Sequence, residues 1–157
     1  RDAEWLVDDK RRAETEVIDN VVFTRKYKDV TNYADGSPLF RFAEMVLAAA
    51  EANARLGNNS AALTLLNSVR NRALANPSTQ AYTSSSFASS ADLVKAILKE
   101  RRIEFAMEGE RFYDLVRWGD AESVLGGLGY QTKNQYYPIP QTAIDQAGGV
   151  LIQNPNY

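Results

Sequence analysis

Glu100, Glu104 and Glu108 recur every fourth residue, a spacing that would set three carboxylates on one face of a helix. Carboxylates gathered in this way can hold a metal ion or share a proton in acid–base chemistry. They can equally serve as charge partners for Arg101, Arg102, Arg111 and Arg117, which lie in the same stretch. Arginines nearly match the acids there and the chain has no histidine, so the structural use is favoured. A second candidate is the pair Glu110 and Asp114, with Arg111 beside them. Glycoside hydrolysis needs two carboxyls roughly 5–9 Å apart across a cleft. Two residues on one short helical segment do not face each other across a sugar. No catalytic residue, no metal ligand and no cofactor is assigned.

The absence of histidine and cysteine narrows the chemistry further. It removes Ser-His-Asp and Cys-His catalysis, zinc sites built on either residue, disulfides and a thiol nucleophile. Rings remain, and flat rings over a pyranose with amides on its hydroxyls are the ordinary means of gripping sugar. Trp5, Tyr27, Tyr33, Tyr82, Tyr130, Tyr136 and Tyr137 lie outside the expected helix cores. Tyr82, alone in a polar loop, is expected to be the most exposed. Tyr137 is expected to pack with the neighbouring prolines, and Trp118 to lie in the core. The ligand-contacting residues stay unknown at this level.

The elements that position these groups follow from local pattern. Between Glu100 and Gly119, nine of twenty residues are charged, threaded through Ile103, Phe105, Met107, Phe112, Tyr113, Leu115, Val116 and Trp118. That mixture implies a partly desolvated ion-pair network, in which removing one partner costs roughly 3–5 kcal/mol. Ser89-Ser90-Ala91-Asp92 reads as the capping box of the helix that carries it, with an interruption near Gly109 and a second segment of about 110 to 118. Upstream, Ser37-Pro38 reads as N-cap and first turn of a helix running to about Leu56 and stopping at Gly57. That helix is apolar or small around most of its circumference, so part of its packing partner is expected upstream of this chain. A second helix of about 60 to 74 makes an antiparallel hairpin with it. Asn76 to Ser90 is a Ser/Thr-rich loop.

The flanks are irregular. Asp8-Asp9-Lys10-Arg11-Arg12 is read as a solvated turn or helix end, and Val17, Val21, Val22 and Phe23 as a strand or extended arm. Gly126-Gly127-Leu128-Gly129 reads as a hinge-like break. Tyr136-Tyr137-Pro138-Ile139-Pro140 must be extended, Gln141 to Gln146 makes a helical turn, and Gln153 to Tyr157 ends as a strap. With 157 residues, 45% hydrophobic and 24% charged, the chain can build one sizeable core, expected as a single domain over residues 1–157. A net charge of −2 advertises no nucleic-acid or anionic-lipid surface. Its opening, Arg1-Asp2-Ala3-Glu4-Trp5, has neither initiator Met nor signal peptide, so the chain is expected to be a piece of something longer.

Three segments, in order, resemble one family. Glu51-Ala52 to Val69-Arg70 is similar to a tetratricopeptide-type helix pair. It is followed by Glu100-Arg101-Arg102-Ile103-Glu104-Phe105 with Glu108-Gly109, Arg111, Asp114-Leu115 and Arg117-Trp118, then by Tyr137-Pro138-Ile139-Pro140 with Gln153-Asn154-Pro155 and Tyr157. Together these resemble the C-terminal portion of the SusD/RagB family, outer-membrane nutrient-binding lipoproteins. Leu39 to Glu44 and Arg25-Lys26-Tyr27 also fit, so the resemblance runs from about Asp8 to Tyr157. Two positions depart from the family pattern: Gln146 to Leu151 stands where an Asn-Pro-x-Leu-like segment is usual, and Asn156 where glycine is usual.

The resemblance implies a mainly α fold, tetratricopeptide-like hairpins in an alpha-alpha superhelix with an irregular extended C-terminal tail. It implies a non-enzymatic protein at the outer-membrane cell surface, held by an N-terminal lipid anchor absent from this chain. Its partners would be an oligosaccharide or similar nutrient and a SusC-like TonB-dependent transporter barrel, and the principal ligand residues would lie upstream. The alternative is a tetratricopeptide-like protein-interaction scaffold with no small-molecule ligand.

Overall fold

The structure, a computed structural model, describes residues 5–157; the opening Arg1-Asp2-Ala3-Glu4 lies outside them. It is mainly helical and forms two compact units, one reaching to Glu110 and the other comprising Arg111–Tyr157. Among the described residues no helix is long and apolar enough to cross a membrane.

The first unit starts with a 3-10 turn, Lys10–Glu14, capped by the Asp9 side chain on the Arg11 amide. Strands β1 (Thr15–Ile18) and β2 (Val21–Thr24) then pair antiparallel, with Thr15 opposite Thr24 and Ile18 opposite Val21. The linking residues Asp19 and Asn20 both take positive φ, the signature of a type I′ hairpin turn, whose twist matches that of the strands. The strand reading of Val17, Val21, Val22 and Phe23 holds.

Helix α1 spans Phe42–Arg55, four residues short of the start that Ser37-Pro38 announced. Arg41 is its N-cap in extended conformation and offers no side-chain cap. A tertiary contact overrides the local signal: with residues 37–41 unwound, Arg41 is free to reach across to Glu104 and Glu108. The helix stops as expected, at Leu56 with Gly57 at φ 81°. Ala43, Leu47, Ala50 and Ala54 fall at 3.6-residue spacing on its buried face. Phe42, Met45 and Leu56, together with the preceding Leu39 and Phe40, stay exposed.

After Asn58, α2 (Asn59–Arg70) returns and buries Ala62, Leu66 and Val69 against α1. The small alanines on both faces let the two axes approach closely, and each fully buried leucine contributes about 1.5–3 kcal/mol. The Ser/Thr-rich stretch holds a short helix α3 (Pro77–Gln80), with Pro77 at its start, and a 3-10 turn at Ser84–Ser86. Helix α4 (Ser90–Glu104) opens as the sequence announces: the Ser89 hydroxyl accepts the Asp92 amide and donates to the Asp92 carboxylate. Its inner face begins apolar, with Leu93 and Ile97 in the core, and then turns charged at Glu100, Arg101 and Glu104.

α4 ends at Glu104, and the chain turns through Met107 (φ 66°) and Gly109 (φ 91°) before α5 (Glu110–Trp118) begins. In the second unit α6 (Ala121–Leu125) runs directly into a 3-10 turn at Gly126–Leu128. The break expected over Gly126-Gly127-Leu128-Gly129 therefore falls at its last residue, Gly129, where φ reaches 95°. A 3-10 turn at Thr132–Gln135, the extended Tyr136–Pro140 and α7 (Gln141–Gln146) complete the unit.

Candidate functional site

The acidic residues that first drew attention sit among cations supplied by four other parts of the chain. Glu100 is fully buried on α4; it accepts from Arg11 at 2.6 Å and from Arg70 of α2 at 3.3 Å. Glu104, one turn on and 4% exposed, accepts from Arg11 at 3.0 Å and Arg41 at 2.8 Å, and pairs with Arg72 as well. Glu108 takes Arg41 through two hydrogen bonds, at 2.8 and 3.0 Å, and also Lys26. It lies beyond the end of α4, so the three carboxylates do not share one helix face as expected. The turn after Glu104 carries Glu108 away, and Arg41 bridges the two acids.

Arg11 corrects a further expectation. The run Asp8 to Arg12 is not a solvated charge cluster: Asp9 is buried, and Arg11 grips it through both Nε and Nη2, at 3.0 and 2.7 Å, while Nη1 reaches Glu100 and Glu104. Such two-pronged guanidinium–carboxylate contacts are the strong, geometrically specific kind. Burial alone would raise the Glu104 carboxyl, but the Arg41 hydrogen bond and the Arg72 and Arg11 charges outweigh it and hold it below its usual range. Asp9 follows the same pattern: burial pushes up, Arg11 pulls down further. The structural reading of the three glutamates therefore holds, with partners that local spacing could not reveal. The Phe105 ring joins in, with the Arg41 guanidinium 4.9 Å and the Arg101 guanidinium 5.1 Å from its centre.

An open cavity of about 480 Å³ lies over this cluster, walled by Trp5, Lys10, Glu14, Lys26 and Arg72 with Glu104 and Glu108 at its base. A general base needs an acid able to take up a proton near neutral pH. Glu104 and Glu108 are ion-paired, and Glu104 is held below its usual range. Among the described residues no group of acidic side chains is arranged as a metal site.

The rings are distributed differently from expectation. Tyr82 is not the exposed loop ring: Arg70 lies 4.2 Å over its face, Phe87 sits 5.0 Å away, and Asn67 exchanges hydrogen bonds with its backbone N–H and C=O. Tyr137 does not pack away with the prolines but is 66% exposed. Tyr113, which sequence reasoning left inside the charged helix, is 60% exposed. Trp118 is half-buried, with the Arg117 guanidinium 5.1 Å from its ring. Asp114 of α5 is buried and takes Arg117 at 3.1 Å, and Glu110 lies on the same helix, one turn away.

Comparison with known proteins places this arrangement. The model of the SusD family matches residues 15–135, which include Glu100, Glu104 and Glu108 with Lys26, Arg41, Arg70 and Arg72 but not Asp9 and Arg11. A SusD-like protein of Formosa agariphila is 36% identical over 100 residues, 64% of this chain and 18% of that relative. Surface glycan-binding protein A from Bacteroides thetaiotaomicron superposes with a TM-score of 0.60 at 35% identity, over 77% of this chain and 25% of the other. A SusD-like protein from Bacteroides fragilis does so at 0.59 and 27% identity, over 75% and 25%. The chain thus spans only about a fifth to a quarter of the length of its curated relatives.

Proposed function

The chain belongs to the SusD family, and on that premise we propose that it is the C-terminal helical domain, residues 1–157, of a non-enzymatic binding component in an outer-membrane nutrient-uptake system. The parent protein, held at the cell surface by a lipid, captures an oligosaccharide or similar solute and passes it to a TonB-dependent transporter barrel. One observation carries the reading: a structural relative at 35% identity is itself a surface glycan-binding protein. The chemistry of the charged cluster agrees with it. Glu100, Glu104 and Glu108 each take at least two cations, so they act as the clasp that docks Arg11, Arg41 and Arg70 onto α4.

The alternative, a protein-interaction scaffold without a solute, draws support from the exposed apolar residues Leu39, Phe40, Phe42, Met45 and Leu56 around α1. Two measurements on the native host separate the readings. Deleting the gene should abolish growth on one complex glycan, and the tagged protein should co-purify from detergent-solubilised outer membranes with a β-barrel transporter. Normal growth on every glycan tested, with no barrel recovered, would overturn the uptake role.

A further inference from the structure

Another cavity, of about 250 Å³, lies within the first unit, where the starts of α2 and α4 meet the loop that follows α3. Its floor is apolar: Leu93 is 2% exposed, and Leu63 and the Phe87 ring are half-buried. Its rim is polar and open to solvent, made by the Asn59 amide and the hydroxyls of Ser60, Ser84 and Ser89. Ser89 already serves Asp92, accepting its amide at 3.2 Å and donating to its carboxylate at 2.7 Å. The side chains of Asn59, Ser60 and Ser84 have no partner among the described residues. The walls are ordered without a ligand. Phe87 is set against Tyr82, 5.0 Å between ring centres and tilted by 60°. The turn that carries Ser84 closes on itself, with the Ser86 hydroxyl accepting the Thr83 amide at 2.9 Å and the Ser86 amide donating to the Thr83 carbonyl at 3.0 Å.

The lining selects the ligand class. None of the residues that wall the cavity is charged. Of the elements that supply them, α2 carries only Arg70, at its far end and engaged with Glu100, and residues 81–89 carry no charge. In the first two turns of α4, Asp92 and Lys95 pair with each other at 3.4 Å, and the later charges, from Lys99 on, lie beyond the second turn. Arg55, at the adjoining end of α1, is held by Glu51. A charged ligand therefore finds no counter-charge at the rim. An apolar ligand would cover the floor but strand the amide and hydroxyl groups above it. A pyranose answers both demands, with its C–H face on the ring and leucines and its hydroxyls on the amide and serines. Drug-sized ligands fill about 300–1,000 Å³, so a cavity of about 250 Å³ suits a single sugar ring.

We propose that this cavity is a subsite for one neutral pyranose unit of a glycan, with Phe87 as the stacking face and Asn59 and Ser84 as the groups that take its hydroxyls. This rests on the glycan-binding reading above and gives it a place in this chain. The walls belong to two helices and a self-bonded turn, so little ordering is left for the sugar to impose.

The test follows backbone amides by NMR while the chain is titrated with the methyl glycosides of glucose, galactose, mannose and xylose, and separately with cyclohexanol. One glycoside should shift the Ser60, Ser84, Phe87 and Ala88 amides together and saturate in the millimolar range. Asn59→Ala and Ser84→Ala should each weaken that binding about fivefold, the size of one net hydrogen bond, and melt with the parent. Ser68→Ala, exposed on α2 but outside the cavity, should bind within about twofold of the parent. Cyclohexanol, a ring with a single hydroxyl, should not saturate. If it binds as tightly as the best sugar, the cavity is an apolar one and the subsite is overturned. Sugar binding that survives both Asn59→Ala and Ser84→Ala overturns the subsite while leaving the glycan reading in place. Silence from all four glycosides overturns it too, and the growth and co-purification experiments then decide the wider reading independently.

Discussion

Replacing Glu104 with glutamine probes the clasp with the least change of shape. The carboxylate is 4% exposed and is shared by Arg11, Arg41 and Arg72. Glutamine keeps the volume and one acceptor oxygen but removes the charge, stranding guanidinium groups that have little water to turn to. Breaking a buried pair in this way costs about 3–5 kcal/mol. Arg72 is 55% exposed and can rehydrate, so its share is at most about 1 kcal/mol and the net loss is about 2–4 kcal/mol. With a urea slope of about 2 kcal/mol/M for a domain of this size, the unfolding midpoint should fall by roughly 1–2 M. Arg72→Ala, assayed alongside, should fall by less than about 0.5 M. Equal, small shifts in both variants would refute the claim that Glu104 is locked in place by its buried partners.

Acid should act through the same groups. Glu104 and Asp9 both titrate below their usual range when folded, so their stabilising contribution is complete above about pH 4.5 and is lost as pH falls through the lowered values. Thermal melting followed from pH 7 to pH 3 should decline steeply only below about pH 4.5, and less steeply in Glu104→Gln. Asp114→Ala should cost at least about 1 kcal/mol, since the carboxylate is buried while its partner Arg117 is 49% exposed and can rehydrate; an unchanged melting temperature would contradict this. Gln153→Ala should raise hydrogen exchange at the Ile139 amide by one to two orders of magnitude while leaving α1 and α2 protected, because it deletes the two bonds that clamp that segment.

Where the chain's local pattern and its tertiary contacts agree, the fold could be read directly. The Ser89 cap of α4, the stop at Gly57, the interruption near Gly109 and the extended Tyr136–Pro140 all rest on backbone preferences of the residues themselves. Where a distant partner decides, reading failed in a regular way. Ser37-Pro38 is a sound helix start that the Arg41 contacts to Glu104 and Glu108 override. Arg11, the most heavily engaged cation of the cluster, sits 89 residues from Glu100, and a charge run next to it looks solvated from sequence alone. Tyr82 looked exposed because its neighbours are polar, yet Arg70 and Asn67 of α2 cover it. Tyr137 looked covered because prolines flank it, yet Asn154 and Gln153 hold the segment by its backbone and leave the ring outside. Asn76-Pro77 before α3 and Asp120 before α6, residues of the type favoured ahead of a helix, signalled short elements that could have been found and were not.

The most direct measurement of the account's core, acids engaged in binding architecture and not in chemistry, is the fate of an oligosaccharide left with the protein. Incubated for a day at pH 7 and analysed by mass spectrometry, the glycan should be recovered intact, at the same yield from the parent and from Glu108→Gln. Shortened products that appear with the parent and vanish with Glu108→Gln would contradict it.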